Sequence, residues 1–254
     1  MEQSTYLSGI SGAADSSHRF GLSSTTNRAD VRCHWPSQFG AQQRFPAGVE
    51  LFSQGSLVQE VFWLVEGLVK LVYVDDEGRE RILDLRMPQQ LIGAALVLVR
   101  LPSPVSAVTV TRCRVLRMSD SEFARCLEAD EQLSWAFHEM QSQEVYGQFQ
   151  RLAELSTGTS RVRLEHFLQQ VMHAFPSTPN GRIRLPLKRC ELAQFLAVTP
   201  EHLSRLFKRL CDEGIIAFEK GWLVIRDAGR LAGETCEPRA RIDTPLTRFQ
   251  RMSA

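Results

Sequence analysis

At 254 residues, with 43% apolar and 23% charged side chains, the chain can fill one large or two ordinary packed domains, and its composition excludes a wholly disordered or fibrous protein. No apolar run approaches the roughly 18 residues of a membrane span, and the N-terminus lacks the basic-then-apolar order of a secretion signal, so a cytoplasmic protein is expected. The formal net charge of +1 hides a division along the chain. Residues 31–157 carry 12 Lys+Arg against 16 Asp+Glu, residues 158–228 carry 11 against 7, and residues 229–254 carry 5 against 3. An acidic body followed by a basic C-terminal part is the distribution expected when one domain alone meets phosphates.

Taken in order, residues 1–30 are rich in Ser, Thr, Gly and Ala without periodic apolar positions and read as a flexible arm. From Phe45 the texture becomes short β-type runs: VFWLV at 61–65, LVKLVYV at 68–74, RILDLR at 81–86, VSAVTVT at 105–111 and CRVLRM at 113–118. Glycines punctuate them, and DDEG at 75–78 is a hairpin turn. Many short strands at this spacing predict a sandwich or barrel.

After SDSEF, where Ser119 or Asp120 can cap a helix, the pattern turns helical as far as the STGTS break at 156–160. Leu133, Phe137 and Met140 fall on one stripe, and Phe149, Leu152 and Leu155 on another, which predicts an imperfect coiled-coil helix paired with a second copy. A surface helix lying on its own barrel is the alternative reading. A further helix carries Leu164, Phe167, Leu168 and Val171 on one face. It is followed by a short strand at 183–187, two more helices, and the hairpin IIAFEKGWLVIR at 215–226 turning at EKG. The last residues form a basic tail without periodicity.

Within 188–211 the order is helix, short turn, helix. Leu192, Ala193 and Leu196 face inward from the first. Pro200 takes the first position of the second, where its missing N–H removes only a donor that has no intrahelical partner, and Thr199 caps it. Leu203, Leu206, Phe207 and Leu210 then face inward, leaving Glu201, His202, Ser204, Arg205, Lys208 and Arg209 outward. Polar side chains in the first turns with basic ones behind suit docking in a DNA major groove.

These residues carry a resemblance. The stretch FPAGVELFSQGSLVQEVFWLVEGLVKLVYVDDEGRERILDLRMPQQLIG resembles the cyclic-nucleotide-binding-like β-roll of the Crp/Fnr family of bacterial transcription regulators. LPLKRCELAQFLAVTPEHLSRLFKRLCDEGII resembles that family's winged helix-turn-helix. The resemblance implies an α+β chain with a jelly-roll-like sensing β-roll at 31–123, a long dimerisation helix at 124–156 and a winged helix-turn-helix at 157–228, between the flexible arm at 1–30 and the basic tail at 229–254 read from composition. It implies a homodimer joined through residues such as Leu133, Phe137, Met140 and Leu152, acting on double-stranded DNA with RNA polymerase as a partner. EHLSR matches the family's E-x-x-S-R pattern, so Glu201 is expected to accept from a cytosine amino group, Arg205 to reach guanine O6 and N7, and Ser204 to support a neighbouring base or phosphate. Thr199, His202, Lys208 and Arg209 complete the expected DNA-binding set. This form resembles the Fnr branch, whose half-sites read TTGAT, while Pro200 and His202 depart from the commonest residues at their positions.

The effector is not assigned by the sequence. Cyclic-nucleotide sensors of the family place a glutamate after the Ile-Gly pair to take the ribose and an arginine about ten residues on to neutralise the phosphate. Here Ala94 and Val105 stand at those places, with Arg100 in the intervening loop as the other candidate cation. An effector other than cAMP, or none, is therefore expected. An Fnr-type iron–sulfur cluster draws three closely spaced thiolates from the N-terminus, which offers Cys33 alone. His34, His138 or Cys33 leave haem open as a second reading. A small-barrel metal-dependent enzyme is disfavoured because residues 45–137 hold no histidine, and neither a hydrolase elbow nor a phosphate loop occurs.

Overall fold

A computed structural model describes residues 41–175 and 182–231. The expected arm at 1–30, Cys33, His34 and residues 232–254 of the expected tail lie outside the described residues. The first part is built of β1 (Ala41–Phe45), β2 (Glu50–Phe52), β3 (Glu60–Glu66), β4 (Val69–Val74), β5 (Glu80–Arg86), β6 (Leu91–Ile92), the short helix α1 (Ala94–Val99), β7 (Ser106–Thr109) and β8 (Cys113–Ser119). These strands form two four-stranded antiparallel sheets, ordered β1-β8-β3-β6 and β2-β7-β4-β5. Phe62, Leu64, Val69, Ile92, Ala107 and Val115 fill the space between them.

The run VFWLV is continuous rather than alternating because β3 is covered on both sides. Phe62 and Leu64 face the space between the sheets, whereas Val61 and Trp63 join a second cluster under the helices. At the β3–β4 turn Gly67 has φ +100°, and a Cβ there would meet Arg112 O and Cys113 Sγ at 2.6 Å. That position admits only glycine, both for its backbone and for the close approach.

The helical stretch expected as one element is two: α2 (Asp120–Ala129) and α3 (Glu131–Thr157). Ser119 caps α2 in a reciprocal capping box with Glu122, as expected from SDSEF. The break falls at Asp130, which is extended (φ −129°, ψ 103°) and accepts from Leu133 N–H at 3.0 Å. A short acidic side chain gains more by capping the following turn than by continuing the helix.

The stripe expected to face a second copy is corrected. Leu133 and Phe137 are 5% and 4% exposed, packed into their own β-roll with Phe123, whose ring meets that of Phe137 edge-on at 5.5 Å. Met140 packs against the same cluster. Leu152 is 62% exposed and Phe149 66%, on the opposite face. The β-roll needs a cover for Val61, Trp63 and Val97, and the stripe at Leu133 and Phe137 supplies it.

The C-terminal part comprises α4 (Ser160–Ala174), β9 (Arg182–Ile183), α5 (Arg189–Phe195), α6 (Pro200–Asp212), β10 (Ile216–Glu219), β11 (Trp222–Ile225) and α7 (Ala228–Leu231). Its three strands form one antiparallel sheet in the order β10-β11-β9. Leu231 is fully buried in the core and its carbonyl accepts from Gln169 at 2.8 Å, so the packed domain extends beyond the expected boundary at residue 228. One apolar cluster joins Leu68, Ile82, Leu85 and Met87 of the β-roll with Leu192, Leu196 and other core residues of the C-terminal part, fixing the two against each other.

Candidate nucleic-acid interface

Thr199 is the N-cap of α6, with φ −79° and ψ 154°, and its hydroxyl accepts from His202 N–H at 3.2 Å. Pro200 occupies the first turn. The preceding turn is tight: Ala197 N–H donates to Gln194 O and Val198 N–H to Ala193 O, both at 3.0 Å, with Ala197 left-handed at φ 52°. Leu203, Leu206, Phe207 and Leu210 are buried as their spacing predicts, against Leu192, Ala193 and Leu196.

Thr199, Glu201, Ser204, Arg205, Lys208 and Arg209 are exposed on the outer side of the unit. The Glu201 carboxyl is held below the usual carboxylate range, first by its own backbone N–H and then by the Thr199 hydroxyl, with Arg205 adding to the effect. It is therefore an ionised acceptor. Ser204 Oγ donates to Pro200 O at 2.9 Å, one turn back. His202 is placed differently from expectation: it is half-buried and its Nε2 lies 2.7 Å from Ser160 Oγ at the start of α4. Its ring belongs to the support of the helix rather than to its open face.

The orientation of the helix pair is fixed from several sides. Arg151 of α3 donates to Phe195 O at 2.9 Å and lies 3.7 Å over the Phe195 ring. Arg163 of α4 donates to Leu196 O at 2.9 Å. Both arginines thus take carbonyls at the C-terminal end of α5, where the helix leaves acceptors without intrahelical partners. Arg161 binds Glu213 through two nitrogens at 2.6 and 2.7 Å and Glu165 at 2.7 Å, joining the start of α4 to the end of α6. On the β-roll side, Lys70 binds Glu191 at 3.0 Å and Gln194 donates to Glu80 O.

Further cations went unnoticed in the sequence. Arg189, at the first position of α5, is exposed with its guanidinium 5.5 Å from the rings of both Phe207 and Phe218. Lys220 stands at the tip of the β10–β11 hairpin with φ 48°, followed by Gly221 at φ 83°. The turn residues EKG could have flagged Lys220. No local pattern marks Arg189, because its ring partners come from two other elements.

In the β-roll, Ala94 is buried at the start of α1, and the Ser106 hydroxyl accepts from Gln54 N–H at 2.9 Å. Arg100 is exposed at the far end of α1 in a left-handed conformation. The candidate cation and the start of the helix thus lie at opposite ends of α1. Among the described residues no three His, Cys, Asp or Glu side chains gather as a metal site requires, and no helix is long and apolar enough to cross a membrane.

Two family models match the chain, Cyclic nucleotide-binding domain over residues 42–130 and Crp-like helix-turn-helix domain over residues 162–234. A relative described as a probable transcriptional activator, from Rhizobium leguminosarum bv. viciae, is 27% identical over 180 residues, 70% of this chain and 74% of that one. Transcriptional activator protein FnrA of Stutzerimonas stutzeri is 27% identical over 177 residues, 68% of this chain and 71% of that one. Among solved structures, FixK2 from Bradyrhizobium japonicum shares the fold with a TM-score of 0.66 at 22% identity, covering 75% of this chain and 94% of that chain.

Proposed function

The chain belongs to the Crp/Fnr family of transcription regulators with a DNA-binding helix-turn-helix, and from that premise we propose that it acts in the cytoplasm as a homodimer on a palindromic site with TTGAT-like half-sites. The observation that carries this reading is the outer side of α6: Glu201 and Arg205 stand one turn apart, exposed and near the helix start, above a fully buried inner face. Glu201 serves as acceptor for a cytosine amino group and Arg205 as a two-pronged donor to guanine. Lys208 and Arg209 follow as phosphate contacts, and Thr199 and Ser204 support the first turn. RNA polymerase is the protein partner to which such a dimer presents its surface.

Two copies related by a two-fold axis along α3 place both helix-turn-helix units at the same end, as a palindrome requires. The sensing domain takes an effector other than cAMP, or none; Ala94 and Val105 supply neither the ribose acceptor nor the phosphate cation of a nucleotide site. The test is sedimentation of the protein with a duplex carrying two TTGAT half-sites about one helical turn apart. Two copies per duplex, reduced when either half-site is scrambled, are expected. One copy per duplex, or equal binding to the scrambled site, overturns the reading.

A further inference from the structure

Beside α2 the β-roll carries a cleft of about 640 Å³. One wall is a single stripe of the helix: Glu122, Arg125, Cys126 and Ala129 follow at helical spacing and stand one above another. Phe123 and Leu127 lie on the other side of α2, packed into the cluster under the helices. Met118 and Ser119, at the end of β8, and Ala41, at the start of β1, line the cleft from the sheet. Its charged members are largely spoken for, since Arg117 meets Glu60 at 3.0 Å and Glu122 accepts from Ser119.

Ala41 also fixes where the preceding chain arrives. β1 runs antiparallel to β8 with Ala41 opposite Arg117 and Gln42 opposite Leu116, so the chain reaches Ala41 from the end of β8 that leads into α2. Continued backwards, that register sets Gly40 opposite Met118 and Phe39 opposite Ser119, over the floor of the cleft. The residues concerned, VRCHWPSQFG at 31–40, differ in composition from the Ser-, Thr- and Gly-rich stretch before them. Val31, Cys33 and Trp35 alternate with polar neighbours, the pattern of an extended segment with one apolar side. The segment carries Arg32 and no acidic residue, whereas α2 carries Asp120, Glu122 and Glu128 against Arg125.

We infer that residues 31–39 of the same chain pack across this cleft, with Trp35 and Phe39 as apolar anchors and Arg32 turned to the carboxylates of α2. An occupant joined to the lip of its own site acts at an effective concentration of about millimolar, an advantage that no free partner shares. The reach suffices: from Ala41 back to Cys33 the extended chain spans up to about 26 Å, and the stripe from Glu122 to Ala129 about 10 Å. The segment holds α2 against the β-roll immediately before the break at Asp130 that leads into α3. It also makes this side of the β-roll an internal contact, closed to other proteins.

Cys33 and Cys126 are native reporters of the contact. Reduced full-length protein is treated with a short bifunctional maleimide, at a concentration too low for links between chains, and the links are mapped by peptide mass spectrometry. Cys33 is expected to join Cys126 in preference to the more exposed Cys190. Replacing Trp35 and Phe39 together by Ser should abolish that preference and raise the rate at which a monofunctional maleimide alkylates Cys126 by about tenfold or more, because both aromatic anchors leave the contact. Trp35→Phe, which keeps an aromatic anchor, should retain the link, and the thermal midpoint verifies that each variant remains folded. If Cys126 reacts equally fast in the wild-type protein and the doubly substituted variant, with Cys33 linked to it no more than to Cys190, the inference is wrong. A Cys33–Cys126 link that joins two chains in a mixture of isotope-labelled and unlabelled protein assigns the cleft to a second copy, and shielding of Cys126 that arises only when RNA polymerase is added assigns it to that partner; either result overturns the inference as well.

Discussion

His202 Nε2 and Ser160 Oγ lie 2.7 Å apart, so the first turn of α6 is tied to the first residue of α4, 42 positions earlier in the chain. A side chain engaged in this way sets the angle of the helix instead of reading a base. His202→Ala should therefore weaken binding to matched and mismatched sites by a similar factor, up to about tenfold if one hydrogen bond's worth of positioning is removed. Competition binding against half-sites substituted one base at a time checks it; a change in base preference confined to one position would return His202 to the reading set.

Arg205 and Lys208 separate base reading from phosphate attraction on the same helix. Arg205→Ala should cost about 1 to 3 kcal/mol on a TTGAT-type half-site and relax discrimination at its G·C pair. Lys208→Ala should weaken all sequences alike and reduce the salt slope by roughly one unit for each phosphate left without its lysine. Titrations of both variants at two salt concentrations distinguish the roles. Uniform losses for Arg205→Ala would assign that arginine to the phosphates as well.

Phe137 and Leu152 lie on the same helix and should respond in opposite ways. Phe137→Ala empties a position buried against Phe123 and should destabilise the protomer by about 3 to 5 kcal/mol. Leu152→Ala, at an exposed position, should change protomer stability by no more than about 0.5 kcal/mol while weakening self-association. Denaturant unfolding and sedimentation on both variants measure the two effects.

The ion pair between Lys70 and Glu191 joins the β-roll to the helix-turn-helix across 121 positions of sequence. Burial works to raise the Glu191 carboxyl, and the hydrogen bonds from Lys70 and from Lys188 N–H, helped by the charges of both lysines, outweigh it, so the group titrates below the usual carboxylate range. A carboxylate whose folded value is depressed contributes its stability in full above the unfolded value and loses it as pH falls through the folded one. The stability difference between the wild-type protein and Glu191→Gln should thus be largest near neutrality and close as the pH falls through and below the usual carboxylate range. A difference that grows on acidification would contradict this placement.

cAMP at millimolar concentration should leave DNA affinity unchanged and give no saturable heat. Ala94 is buried at the start of α1, Arg100 is exposed at its far end, and Ser106 already accepts from Gln54. Isothermal calorimetry together with DNA binding, each with and without cAMP, tests the point; saturable binding would require another cation to approach the Ala94–Ser106 region.

Much of this molecule is determined by residues close together in the chain. The capping box at Ser119 and Glu122, the hairpin at residues 75–78, and the start of α6 at Thr199 and Pro200 each depend on side chains within a turn of one another, and each is legible before folding. The same holds for the inner and outer sides of α6, where one strongly amphipathic pattern admits a single burial. The long helix is different, because it carries two stripes at helical spacing and local pattern does not say which one the protomer keeps for itself. Leu133, Phe137 and Met140 make one stripe, which the protomer buries, while Phe149, Leu152 and Leu155 make the other, which it leaves exposed. The choice is made by Phe123, Arg86 and Phe195, which meet α3 from elsewhere in the chain. His202 and Arg189 follow the same rule: the partners that define them, Ser160, Phe207 and Phe218, become neighbours only once the chain has folded. Periodicity reports that a face is apolar; what covers that face is decided by tertiary packing, where all elements compete to bury the same surface.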